Sequence, residues 1–223
     1  MKTRNLVTVL VIALLAVSTM NSQEKEKEKM KKDTTKMVDH SKMEMKAMYA
    51  CPMKCEGEKK YEKDFERKTA DRILKYLATQ TATLEGYQIT RLEHSLQAAT
   101  RAYKNGESEE MVVATLIHDI GDDLAPMNHS QYAASILRPY VSEQTYWIIQ
   151  HHGLFQTYYS AHHLGGDRNA RDKFKDHEHY EATVSFCENY DQSSFDPNYK
   201  SMSLDDFSPM VRSIFSKTPY YYL

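Results

Sequence analysis

The chemistry-bearing centre of this chain is Ile117-His118-Asp119-Ile120, which closes an apolar helical pattern and is followed at once by Gly121. Here a neutral imidazole nitrogen and a hard carboxylate oxygen leave adjacent backbone positions. A carboxylate, unlike an imidazole, can bridge two ions. A His-Asp pair alone is common by chance, so its surroundings carry the weight. His94 sits one helical segment upstream, in Ile89-Thr-Arg-Leu-Glu-His94-Ser-Leu-Gln. His129 opens a helical segment downstream and His151 closes another. Asp191 falls on an apolar stripe, where an unpaired buried carboxylate would be costly. Seven of the ten histidines lie between His94 and His163, and several sit inside apolar patterns that surface histidines have no need of. Nitrogen and oxygen donors without thiolates suit iron or manganese better than a structural zinc. Helical-bundle cores are where such imidazole and carboxylate sites are commonly built.

Further candidates follow in His151-His152-Gly-Leu-Phe-Gln-Thr-Tyr158-Tyr159-Ser-Ala-His162-His163, which reads as an ordered loop over the site. His152 rivals His151, because adjacent histidines point to different faces of a helix. Tyr158, His162 and His163 are placed to hydrogen-bond a substrate or to orient ligating imidazoles; a packed loop with surface histidines is the plain alternative. Arg168, Arg171 and Lys173 form a basic cluster, of which a solvated charged face is the commoner meaning.

The elements that must position these groups are helical. Phe65, Ile73 and Leu77 share one side of a helix over 62–79. Leu92, Leu96, Ala99 and Tyr103 mark a second, and Val112, Val113, Leu116, Ile117 and Ile120 a third. Tyr132, Ala133, Ile136, Leu137 and Tyr140 mark a fourth, and Tyr146, Trp147 and Ile149 a fifth. His177, Tyr180, Val184, Cys187 and Asp191 form the stripe of a sixth. Ser203 caps a last helix, with Asp206 three residues on and Phe207, Val211, Ile214 and Phe215 facing inward. No run alternates as a strand would, so the expected class is all-α.

Residues 1–22 read as a signal peptide: Lys2 and Arg4 precede the apolar run Leu6–Val17, and Ala16-Val17-Ser18 offers small residues for cleavage. The run is shorter than the ~20 residues that span a bilayer, so an exported protein, periplasmic or extracellular, without a stable span after cleavage is expected. No cysteine follows closely enough for a lipid anchor. Residues 23–60 read as a disordered tether, opening with Gln23-Glu-Lys-Glu-Lys-Glu-Lys. It continues into a segment with Met37, Met43, Met45, Met48, Met53, Cys51 and Cys55, whose soft donors favour Cu(I) or similar ions; an inert linker is the equal alternative. Three cysteines make no disulfide framework, and Cys187 reads as a buried free thiol. A formal net charge of −2 gives no sign of a nucleic-acid partner. The folded domain is expected over 61–223.

The order His94…His118-Asp119…Asp191, with His129 and His151 added, resembles the signature of the HD superfamily in its binuclear form. Leu92-Glu-His-Ser-Leu-Gln97 and His118-Asp-Ile-Gly121 are most similar to the branch of diiron oxygenases, the organophosphonate-cleaving and, more distantly, the myo-inositol oxygenases. The resemblance covers about residues 65–215. It implies an all-α HD bundle around two iron ions (manganese or another divalent metal being the alternative), with Asp119 as the bridge. It also implies O₂ and a small polar molecule as co-substrates. The family phrase favours His151 over His152, since His151 falls three residues after Ile148. Tyr87 and Glu85 stand near the place of the Tyr and Glu that precede the first histidine in phosphonate enzymes, though in different order and spacing. Asp119, Tyr87, His152 and Tyr158 are therefore the catalytic candidates. Where the branch often carries a basic residue after His-Asp, this chain has Asp122 and Asp123, and Phe155 and Glu188 stand where cationic phosphonate contacts are expected. The Cys51–Gly57 string is similar to half of a heavy-metal-binding motif whose second half is missing. An oxygenase is the expected function, an HD-type phosphohydrolase the alternative, and an exported metal-binding protein the third reading.

Overall fold

The computed structural model describes residues 63–83 and 86–220. The readings of residues 1–22 and 23–60, and of Glu85, lie outside the described residues. Regular structure runs α1 (Thr69–Leu77), α2 (Arg91–Lys104), α3 (Glu109–Ile117), α4 (His129–Leu137), α5 (Glu143–Ser160), α6 (Tyr180–Phe186) and α7 (Leu204–Phe215). Short 3₁₀ turns occupy Ala161–Leu164 and Ala170–Phe174, and a π turn, Cys187–Asp191, continues α6. No strand occurs among the described residues, so the fold is all-α. None of the described helices is long and apolar enough to cross a membrane.

Helix α3 organises the rest. Val112–Ile117 are all buried, and a helix apolar on every side belongs at the centre of a domain. Ser108 caps its start, accepting from the Met111 amide; its C-terminal end delivers His118 and Asp119 to the interior. α2 packs along α3, α7 closes over α3 and α1, and α5 lies against α4 and α6. Leu116, Ile117, Ile120, Leu137, Ile148, Ile149, Phe155, Phe186, Phe207 and Ile214 fill the space between them.

Three expectations from the sequence need correction. The buried side of α2 is only in part the Leu92–Tyr103 stripe: Ala99 is buried and Leu92 and Leu96 are partly so, but Tyr103 is exposed, and Arg91, His94, Ser95, Gln97, Ala98 and Ala102 also face inward. This helix turns its polar and small residues to the core because the core there is a polar site. The loop expected from His151 onward is instead the second half of α5, which runs unbroken through Gly153 to Ser160. The sixth stripe is not one α-helix: His177 precedes it and is exposed, and the π turn carries Tyr190 and Asp191 inward together. Single π turns are often found at functional sites.

A candidate metal centre

The candidate ligands come from five different pieces of this bundle. His94 lies one turn into α2, behind a complete capping box in which Thr90 accepts from the Glu93 amide and Glu93 accepts from the Thr90 amide. His118 and Asp119 leave the end of α3. His129 opens α4, His152 lies in the middle of α5, and Asp191 ends the π turn. Two glycines bring these pieces close. A Cβ on Gly121 would stand 3.1 Å from the His129 Cα, and one on Gly153 would stand 2.4 Å from the Ser130 Oγ and 3.2 Å from the His129 Nε2.

Two groups of donor atoms result, sharing one residue. His94, His118, Asp119 and Asp191 form an inner seat, all four buried; Asp119, His129 and His152 form an outer seat beside it. Asp119 divides its oxygens between them. Its Oδ2 lies 3.3 Å from His94 Nε2 and 3.4 Å from His118 Nε2. Its Oδ1 lies 3.2 Å from His152 Nε2 and 3.6 Å from His129 Nε2. Asp191 Oδ1 completes the inner seat at 3.4 Å from His94 Nε2 and 3.7 Å from His118 Nε2.

The histidine tautomers are set by the backbone. The Nδ1 of His94 lies 2.9 Å from the Ser194 carbonyl, that of His118 2.7 Å from Thr115, and that of His152 2.6 Å from Ile149. A carbonyl only accepts, so each Nδ1 carries the hydrogen and each neutral ring turns its Nε2 lone pair inward. The Nε2 atoms of His94 and His118 are only 3.2 Å apart, so lone pairs facing each other there need a metal ion or a proton between them. Hard carboxylates and imidazoles fit iron or manganese. The nearby Cys187 is not a donor: its thiol points to the His152 carbonyl at 3.5 Å, and burial pushes its pKa well up.

Without metal, a proton takes the cation's place. Burial alone would lower the pKa of His94, but hydrogen bonds to Asp119 and Asp191 push it up to about 9. Burial likewise opposes ionisation of Asp119 and Asp191. The neighbouring imidazoles outweigh it, His118 foremost, and hold both carboxyls below the usual range. His129 is lowered, chiefly by burial, which favours the neutral, ligating form.

Of the residues singled out in the sequence, the structure brings together His94, His118, Asp119, His129 and Asp191. His151 is not among the clustered donors. It points away from the cluster, stacks on Trp147 at 4.0 Å and donates to the Trp147 carbonyl. The next residue, His152, takes its place. The phase of α5 decides this: its inward face runs through Ile148, Ile149, His152 and Phe155. His152 is thus placed as a candidate ligand rather than as a free catalytic base. Tyr158 is also off the site, its ring covered by the guanidinium groups of Arg168 and Arg171 at 4.1 and 3.8 Å. His162 and His163 are exposed on the 3₁₀ turn that follows α5. Tyr87 does reach the site, on the rim, with its ring 5.2 Å from Phe195.

The outer seat opens into a cavity of about 500 Å³. Its walls include Tyr87, Arg91, Asp122, Gln156, Tyr159, Gln192 and Phe195. Phe195 also stacks on the ring of His94 at 4.4 Å. Gln156 donates to Gln192 at 2.7 Å, which leaves the Gln156 carbonyl oxygen buried without a partner. Arg91 Nη2 donates to Asp119 Oδ2 at 2.6 Å and also to Asp122. Arg91, Asp122 and the two glutamines were not foreseen. The available signal was spacing: Arg91 stands three residues before His94 and Asp122 three after Asp119. A larger cavity, about 940 Å³, lies between α1 and the end of α7, lined by residues such as Arg67, Tyr140, Arg212 and Lys217. It contains none of the clustered histidines and aspartates.

The model of the HD domain family matches residues 91–192, the stretch that holds every clustered donor. A relative from Leisingera caerulea, [1-hydroxy-2-(trimethylamino)ethyl]phosphonate dioxygenase (glycine-betaine-forming), is 31% identical over 87 residues. The match covers 34% of this chain and 44% of the relative, so the chain spans less than half of that protein's length.

Proposed function

We propose, from the match of residues 91–192 to the HD domain family, that the protein is a diiron oxygenase that cleaves or oxidises a small polar substrate with O₂. The observation that carries the reading is the division of Asp119 between two donor groups, one oxygen to each. The dioxygenase activity of the Leisingera relative supports it. Iron held there would supply the redox chemistry with O₂ that no side chain of the chain provides. His94, His118, Asp191 and Asp119 Oδ2 would hold one ion out of contact with solvent. His129, His152 and Asp119 Oδ1 would hold the other at the floor of the cavity, with fewer protein donors and therefore room for substrate. Tyr87 and Phe195 form an aromatic wall of the cavity, and the Gln156 side chain, whose buried carbonyl oxygen has no partner, would turn it to a substrate hydroxyl or amine.

The cavity chemistry argues against carrying over a phosphonate. Arg91 is the one Lys or Arg among the described residues of its lining, and its charge is spent on Asp119 and Asp122. With His152 in the cluster, the position expected to contact a phosphonate moves from Phe155, which is fully buried core, to Gln156. That residue is uncharged too. A neutral polar substrate therefore fits better than a dianion.

The same cage would serve an HD-type phosphohydrolase, in which a metal-activated water attacks phosphorus. Metal analysis of the purified protein followed by Mössbauer and EPR spectroscopy separates the two. Close to two irons per chain with a coupled mixed-valence signal, and O₂ uptake with hydroxylated candidates, are expected. A single redox-silent metal, with turnover of phosphoesters that tracks it, would overturn the oxygenase reading.

A further inference from the structure

The two seats are not equally well built. In the inner seat every donor is buried, and both imidazoles are anchored through Nδ1 by backbone carbonyls at 2.9 and 2.7 Å. In the outer seat His152 is anchored as firmly, at 2.6 Å. His129 is not. The nearest backbone carbonyl to its Nδ1, that of Pro126, is 3.4 Å away, at the outer edge of a useful hydrogen bond. Its side chain is one-quarter exposed to the cavity.

A carboxylate stands where that anchor is weak. Asp122 Oδ1 lies no closer than that carbonyl, also 3.4 Å from the same Nδ1 of His129, but it carries the charge that the carbonyl lacks, and its other oxygen is bound by Arg91 Nη2. That nitrogen is also the one that donates to Asp119 Oδ2 at 2.6 Å. The guanidinium is nearly buried, with 10% of its side chain exposed, so it is shielded from the water that would loosen the contact. One chain of contacts thus runs from the His129 ring through Asp122 and Arg91 to the shared carboxylate. Carboxylates behind ligating histidines raise their basicity and fix their orientation.

We propose that Arg91 and Asp122 are a positioning pair that holds the outer seat together. Asp122 steadies His129, and Arg91 keeps Asp122 in register with the bridge, so the occupancy of the second ion is set separately from that of the first. The inference rests on the binuclear reading above. The inner seat has no contact with Asp122 and keeps its own anchors, so loss of Asp122 acts on the outer seat, whereas Arg91, which donates to Asp119 Oδ2 on the inner side, touches both.

The test is a titration of the full chain, metal-free, with Mn(II), following free metal by EPR against a competing chelator. Wild type is compared with Asp122→Asn, Arg91→Gln and the double variant. Both single variants are expected to weaken the second, outer ion about 10–100-fold; with Asp122→Asn the first binds as in wild type, whereas Arg91→Gln also alters it through Asp119 Oδ2. Because the two residues act as one unit, the double variant should lose no more than the worse single one, rather than the product of the two. A merely structural contribution would lower thermal stability without changing the ratio of the two affinities. Seats that weaken together in Asp122→Asn, outer-seat losses that multiply, or variants indistinguishable from wild type would each overturn the pair's role. A wild-type chain that takes up only one ion would instead remove the binuclear reading on which the pair depends.

Discussion

Gly153 is the residue whose substitution tests the site geometry most directly. It lies in the interior of α5, where alanine is ordinarily the better helix former by roughly 1 kcal/mol. An alanine Cβ here would meet the Ser130 Oγ at 2.4 Å, a full 1 Å inside the 3.4 Å at which ordinary contact begins. It would also stand 3.2 Å from the His129 Nε2. Ser130 is buried and accepts from the Gly153 amide at 3.2 Å, so turning its hydroxyl away forfeits that bond, about 1 kcal/mol. Overpacking of this kind costs about 1–3 kcal/mol. Set against the helix gain, Gly153→Ala should be less stable than wild type by about 1 kcal/mol, a fall in Tm of roughly 2–4 °C for a domain of this size. Its outer seat should weaken about tenfold, since displacing a ligand by even about 0.5 Å spoils such a site. Adding Ser130→Ala removes the severe clash and should restore Tm to wild type or above. The outer seat should recover only in part, because the 3.2 Å approach to His129 remains. Calorimetry and Mn(II) titration measure the two effects separately. A Gly153→Ala protein with wild-type Tm and two wild-type affinities would refute the placement of α5 against His129.

Other perturbations follow from the same geometry. His152→Ala should lose the outer ion, whereas His151→Ala should retain both and cost only its stacking on Trp147, about 1 kcal/mol; elemental analysis of the two purified variants decides. In the metal-free protein His94 is protonated up to about pH 9, so filling the inner seat at pH 7.5 should release about one proton, read by calorimetry in buffers of different ionisation enthalpy. By the same linkage this raised pKa contributes stability that is complete below the ordinary value of 6.5 and is lost as the pH rises through about 9. The Tm of metal-free protein should fall across that window, and a Tm that rises there would contradict the assignment. Thr90→Ala removes half of the capping box before α2 and should cost about 1 kcal/mol in chemical denaturation, with an unchanged midpoint counting against the cap.

What the sequence disclosed, and what it concealed, divides along physical lines. The helices were legible because a 3.6-residue apolar rhythm is a property of neighbouring residues, and α3, α4 and α7 fall where that rhythm puts them. His118-Asp119 was legible for the same reason, since a wholly apolar helix must end inside the domain. α2 was misjudged on its buried face because apolar patterning assumes an apolar core, and this helix faces carboxylates and imidazoles. The choice between His151 and His152 could not be made from a family phrase that differs by one residue, since one residue turns a helix by about 100°. That turn separates a stack on Trp147 from a seat beside Asp119. Arg91 and Asp122 are the harder case. Alone, each has the look of a solvated surface charge; they acquire meaning only because α2 and the turn after α3 bring them onto the same carboxylate. The regularity was nonetheless present, Arg91 sharing a helical face with His94 and Asp122 following Asp119 by three. Charged residues one helical turn from a ligand in an otherwise buried segment therefore belong with the metal site until their partners are known.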